Sequence, residues 1–209
     1  MKIYYFDAYG RAEQLRLLLN HAGQAFEDVR YTREQWGKAK VDESEKWEYG
    51  QLPVLEKDGK FYPQSDSILR LLGREFGYYP TDAEAAYRVD NLIDLLADFR
   101  TPIMKVFFSG SEEEKKKGFE DLVANHFPKF FGFWDTKLKE NSSQDFLVGD
   151  SASIADFAYL AIYSSLINNG QLKDALLPAL EGFPTLSAYF TTRWNAQKEY
   201  FDSRPASPF

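Results

Sequence analysis

Apolar and polar positions change period several times along the chain. Ile3 to Phe6 alternate and are rich in β-formers, as in a strand, and Gly10 breaks the run. Leu15, Leu18, Leu19 and Ala22 then recur at i, i+3, i+4 and i+7, which predicts an amphipathic helix ending at Gly23. Phe26 to Tyr31 reads as a second strand, so the opening is a β-α-β unit with parallel strands and a right-handed crossover. Thr32 to Glu48 reads as an irregular polar connection carrying Trp36, Lys40 and Trp47. Two short apolar runs, Val54-Leu55 and Phe61-Tyr62, flank Asp58-Gly59, the signature of a type I′ hairpin. Ser65 is placed to cap a helix whose face is Ile68, Leu69 and Leu72. The unit spans residues 1–77.

Residues 78–82, Tyr-Tyr-Pro-Thr-Asp, form the expected linker, and residues 83–209 carry only helical periods until the tail. Val89, Leu92, Ile93 and Leu96 form one stripe. Glu112 to Lys139 reads as a long helix interrupted near Pro128. Ser153 and Asp156 have capping-box spacing ahead of Ile154, Phe157, Ala158 and Ala161, and Leu186, Tyr189 and Phe190 mark a last helix after Phe183-Pro184. The tail Arg204-Pro205-Ala206-Ser207-Pro208-Phe209 is not helical in pattern. The expected fold is an α/β domain (βαβ-ββα), thioredoxin-like in outline, followed by an all-α domain.

Composition narrows the chemistry. The 209 residues contain no cysteine, which excludes disulfides, thiolate metal sites and a protein thiol nucleophile. Two histidines far apart, His21 and His126, make a histidine metal site improbable, and none is expected. His21, late in a helix where a cation is favoured, reads as structural. The net charge of −7 disfavours a nucleic-acid partner. No apolar run reaches membrane-spanning length, and Met1 leads straight into a strand pattern, so a cytoplasmic protein is expected, with no membrane association.

In a thioredoxin-like outline the reactive group sits where the first strand meets the first helix. Here that position offers a phenol, Tyr5, and no thiol. A phenol that donates to a thiolate favours the charged form, so this one would activate a thiol arriving with a substrate. Leu52, before Pro53, is biased toward extended backbone that can pair with another chain, and the helix start at Ser65 and Asp66 offers amides to a carboxylate. Taken alone, the same residues also fit a hairpin and helix in a core, with Tyr5 as a packed strand aromatic.

The chain resembles a cytosolic glutathione S-transferase, most closely the tyrosine-type, sigma-like enzymes of the nematode (nu) group. The matching pieces are Tyr5-Phe6-Asp7 with Gly10-Arg11-Ala12-Glu13, Arg33-Glu34-Gln35-Trp36 with Lys40, Gly50-Gln51-Leu52-Pro53, and Gln64-Ser65 before Ile68-Leu69. Phe146 to Ser151 ahead of Ala155-Asp156, and Arg204-Pro205 with Pro208-Phe209, complete the set, which covers almost the whole chain. The resemblance implies that Tyr5 stabilises the glutathione thiolate, with Arg11 adding positive charge. It implies that Leu52, before a cis Pro53, pairs with the cysteinyl backbone, that Gln64 and Ser65 hold the γ-glutamyl end, and that Gln51 adds a polar contact. Trp36 and Lys40 would meet the glycyl end, Asp98 would come from the partner subunit, and Tyr49 would insert into that partner of a homodimer. Tyr9, Met104, Ala158, Ile162 and Phe209 are expected to line the pocket for hydrophobic electrophiles, although Tyr9 stands where relatives commonly carry Arg or another residue. The implied activity is conjugation of glutathione, as co-substrate, to electrophiles in detoxification, without a metal. Prostaglandin D isomerisation and non-catalytic carriage of haem or other hydrophobic compounds are the alternatives on the same fold.

Overall fold

The computed structural model describes residues 1–207, apart from the side chain of Gln171. Four strands, β1 (Lys2–Phe6), β2 (Glu27–Tyr31), β3 (Val54–Lys57) and β4 (Lys60–Pro63), form a sheet in the order β2-β1-β3-β4. β1 and β2 are parallel, with Tyr5 opposite Arg30, whereas β3 runs antiparallel to β1 and β4. The crossover between the parallel pair is α1 (Glu13–His21). Asp58 and Gly59 have φ of 52° and 74°, the left-handed pair that a type I′ turn requires.

Alternation along the strands sorts the sheet into two faces. Ile3 and Leu55 are fully buried under Leu15, Leu18 and Leu19 of α1 and Ile68, Leu69 and Leu72 of α3 (Ser65–Phe76). Tyr4 and Val54 face the other way, against Trp47 and Ala39. Ala39 lies in α2 (Arg33–Asp42), a helix where the sequence reading expected irregular chain. A capping box starts it: Thr32 Oγ1 accepts the Gln35 N–H at 3.1 Å, and the Thr32 N–H donates to Gln35 Oε1 at 2.8 Å. Only Ala39 of this helix is buried, so it leaves no apolar period in the sequence.

α3 begins one residue earlier than expected, at the residue read as its cap. Gln64, at φ 71°, precedes the helix, and Ser65 is its first helical residue. Gly77, at φ 80°, closes α3 in the left-handed conformation, and α4 (Ala83–Phe107) starts where Asp82 Oδ1 accepts the Ala85 N–H at 2.9 Å. After α4 come α5 (Glu112–Asp121), a wide π turn over Leu122–His126, and α6 (Phe127–Glu140), so the break falls just before Pro128. α7 (Ile154–Ile162) runs into a second π turn over Tyr163–Ile167, then α8 (Lys173–Glu181), α9 (Pro184–Ala196) and α10 (Lys198–Ser203).

α7 is buried from Ile154 to Ala161 and packs on α1, α3 and α4, joining the sheet layer to the helical layer. Its start is organised by Asp156, whose carboxylate accepts the Leu147 N–H (3.0 Å), the Ser153 N–H (2.8 Å) and the Tyr189 hydroxyl (2.9 Å). Across the same junction the Ile154 N–H donates to the Tyr78 carbonyl at 2.9 Å, and Gly73 faces Ile154 so closely that an added Cβ would lie 2.3 Å from its Cγ2. His21, at the end of α1, meets Tyr78 Oη at 2.8 Å and packs edge-on to Phe157. Burial, with the Arg193 charge second, lowers its pKa, so the site favours a neutral imidazole and not the helix-end cation that its position in the sequence suggested. Among the described residues no helix is long and apolar enough to cross a membrane.

Candidate active site

A cleft of about 630 Å³ opens where β1 gives way to the turn that leads into α1. β1 carries Tyr5 to its floor as a buried side chain. The chain then folds through a 3₁₀ turn, Gly10–Ala12, and the Arg11 N–H donates to Tyr5 Oη at 3.1 Å. Gly10 is required for this approach: its φ is 42°, and a Cβ there would sit 2.6 Å from Tyr5 Oη. The amide occupies an oxygen lone pair, which leaves the phenolic proton for an acceptor in the cleft.

Two kinds of lining meet in the cleft. One is polar and cationic, with Arg11, Gln14, Arg33 and Arg100, and Trp36 standing beside them. The other is apolar, with Ile103, Met104, Phe107 and Phe108 at the α4 end, Ile162 closing α7 and Leu166 in the π turn after it. Behind the polar wall, Gln14 Nε2 donates to Asp66 Oδ1 at 2.8 Å, and Arg100 reaches Gln14 Oε1 at 3.2 Å and Asp66 Oδ1 at 3.4 Å. Burial alone would raise the Asp66 carboxyl, but the Arg100 charge, the Gln14 hydrogen bond and the Arg11 charge outweigh it and hold the group below the usual value. The cleft thus concentrates positive charge in a chain of net charge −7.

Of the residues singled out in the sequence, Tyr5, Arg11, Trp36, Met104 and Ile162 line this one cleft. Leu52 and Pro53 lead into β3 through a cis peptide bond, next to the β1 pairing of Tyr4 with Val54. Ser65 is buried at the start of α3, with its Oγ 3.4 Å from Asp66 Oδ1, and Gln64 beside it is exposed. Lys40 lies against Gly50, where a Cβ would come within 2.8 Å of Lys40 Cε, and Gln51 is exposed. Asp98 and Tyr49 are exposed and away from the cleft lining.

Two expected pocket residues do not line it. Ala158 is fully buried inside α7. Tyr9 is turned into the interior, where its hydroxyl donates to the Pro205 carbonyl and accepts the Ser207 N–H, both at 3.0 Å. Phe209 lies outside the described residues. Phe107, Phe108 and Leu166 were missed, as were Gln14 and Arg100. Arg100 had a signal: it falls four residues after Leu96, a charge on the buried stripe of α4.

The family model for the glutathione S-transferase N-terminal domain matches residues 1–74, and that for the C-terminal domain matches residues 97–204. The chain belongs to the glutathione S-transferase family. Members of this family use glutathione as co-substrate. Probable glutathione S-transferase 5 of Caenorhabditis elegans is 34% identical, over 100% of this chain and 98% of its own. Among solved structures, prostaglandin synthase D of Nilaparvata lugens superposes with a TM-score of 0.86 at 29% identity, over 99% of this chain and 98% of that one. A monomeric glutathione S-transferase of the hookworm Necator americanus gives 0.85 at 33% identity, over 100% and 98%. In this glutathione S-transferase the N-terminal match ends within α3, and the C-terminal match begins within α4, just ahead of Arg100.

Proposed function

We propose that the protein conjugates the thiolate of glutathione to hydrophobic electrophiles, with Tyr5 as the catalytic residue. The observation that carries this reading is Tyr5 Oη accepting the Arg11 amide at 3.1 Å, on the floor of a cleft with one cationic and one apolar wall. A free thiol titrates at about 8.5, so few molecules are thiolate at neutral pH. Donation from the phenol and the nearby Arg11 charge favour the sulfur anion, and each unit by which the thiol pKa falls raises the reactive fraction about tenfold. The thiolate attacks the electrophile and the new carbon–sulfur bond forms; in a substitution the leaving group departs to solvent with the bonding electrons, and in an addition the carbanion formed takes a proton from solvent.

In this reading the extended backbone at Leu52 and Pro53 pairs with the cysteinyl unit. Gln64 and Ser65, at the start of α3, hold the γ-glutamyl carboxylate, where free helix amides favour an anion. Trp36, Lys40 and Gln51 meet the glycyl end. Ile103, Met104, Phe107 and Phe108 receive the electrophile. Two copies associate in the cytoplasm, with the exposed Tyr49 reaching into the partner and Asp98 offered across the interface to the γ-glutamyl amine.

The test is conjugation of a chromogenic aryl halide by wild type and Tyr5→Phe. Loss of one hydrogen bond to a charged group, about 1.5–3 kcal/mol, predicts a fall in kcat/KM of about 10- to 100-fold. Equal rates for the two proteins would remove Tyr5 from the chemistry. Retention on immobilised glutathione without turnover would favour carriage over catalysis.

A further inference from the structure

The turn that offers its amide to Tyr5 is held from the far end of the chain. Glu13, fully buried, takes Arg16 Nη1 on one carboxylate oxygen at 3.3 Å. Its other oxygen takes the Tyr200 hydroxyl at 3.0 Å and Arg204 Nη1. Arg16 Nη1 also donates to the carbonyls of Ala8 (2.9 Å) and Tyr9 (3.1 Å), and the Glu13 N–H returns to the Tyr9 carbonyl at 3.1 Å. Arg204 donates to the Ser164 carbonyl at 3.1 Å and lies 3.7 Å over the centroid of the Tyr9 ring. The Tyr9 hydroxyl then binds the tail backbone on both sides, at the Pro205 carbonyl and the Ser207 amide.

We propose that Tyr9, Glu13 and Arg204 are positioning residues that lock the turn before α1 to the carboxy-terminal tail, and so fix the Arg11 amide on the Tyr5 oxygen. The inference rests on the reading of Tyr5 as the thiolate's hydrogen-bond donor. Residues 9 to 13 span the turn and Arg11 sits at its centre, so clamping both ends sets where its N–H points. With the clamp loosened, the amide drifts, the phenol loses its second partner and the sulfur anion is held less well. A network that merely anchored the tail would change stability alone.

The full-length protein is tested as wild type, Tyr9→Phe, Arg204→Lys and Arg204→Met, each also combined with Tyr5→Phe. The bound thiol is titrated through the ultraviolet absorbance of glutathione thiolate, and kcat/KM for an aryl halide is measured below the titration midpoint. Tyr9→Phe and Arg204→Lys are expected to raise the midpoint by about half to one unit and to lower kcat/KM about 3- to 10-fold. In the Tyr5→Phe background the same changes should have no further effect on either quantity. If Arg204→Met does not fold, Tyr9→Phe, which deletes one oxygen, carries the test. Variants that lose thermal stability yet keep the wild-type midpoint overturn the proposal. If wild type itself does not lower the midpoint below that of free glutathione, or Tyr5→Phe leaves it unchanged, the reading of Tyr5 fails and the positioning role falls with it.

Discussion

Gly10→Ala probes the hydroxyl of Tyr5 without touching Tyr5. The added Cβ would meet Oη at 2.6 Å, whereas ordinary contact begins at 3.4 Å, so the phenol must retreat by about 0.8 Å. Its bond from the Arg11 amide, 3.1 Å long, does not survive a displacement of that size, and on the role proposed for Tyr5 the proton no longer meets the sulfur well. Losing a hydrogen bond to a charged acceptor costs about 1.5–3 kcal/mol, a fall in kcat/KM of about 10- to 100-fold. Forcing alanine into φ 42° costs a further roughly 1–2 kcal/mol of stability. For a chain of this size that lowers Tm by about 2–8 °C, leaving the protein folded at 25 °C. Conjugation kinetics at 25 °C and a thermal melt followed by circular dichroism separate the two effects. The variant should lose activity while folded, and the loss should vanish in the Tyr5→Phe background, where there is no hydroxyl to displace. Activity within threefold of wild type, or an equal loss with Tyr5→Phe already present, would refute the reasoning.

Gly73→Ala places a methyl 2.3 Å from Ile154 Cγ2 across the junction of α3 and α7, and urea unfolding should show a loss of about 1–3 kcal/mol. Asp156→Ala removes the shared acceptor of the Leu147 and Ser153 amides and the Tyr189 hydroxyl, and a loss of about 3–5 kcal/mol is expected in the same measurement. Burial lowers the His21 pKa, so protonation favours the unfolded chain: this part of the stability is present above the unfolded value of about 6.5 and is lost as pH falls below it and through the lower folded value. His21→Gln should therefore flatten the fall of Tm between neutral and mildly acidic pH, and an unchanged slope would assign that fall to other groups.

Local chemistry made much of this molecule readable. Asp58-Gly59 announced the hairpin because a type I′ turn needs two positive φ values. The stripe Val89, Leu92, Ile93, Leu96 announced α4 because one face of that helix is buried. α2 escaped because it rides on a capping box and buries a single alanine, so its signal was Thr32 with Gln35 and not a period. The start of α3 shifted because Gln64, at a positive φ of 71°, is the residue that precedes the helix, and nothing in its residue type announces that backbone. At the cleft, Tyr5 was legible from its place at the end of β1. The trio of Gln14, Asp66 and Arg100 was not, since it assembles from α1, α3 and α4. Tyr9, expected at the pocket, instead turns its hydroxyl to the Pro205 carbonyl and the Ser207 amide, partners nearly two hundred positions away that no local pattern reveals.

The ion pair between Glu13 and Arg204 joins residues 191 positions apart. At about 5–20 residues per second, a ribosome delivers the arginine roughly 10–40 s after the glutamate. Throughout that interval the nascent enzyme holds an acidic side chain prepared for enclosure with half of its basic company still unmade. Arrival of Arg204 is therefore the step that completes the company of Glu13, and the turn after the first strand takes its last ionic partner from residues made long after it.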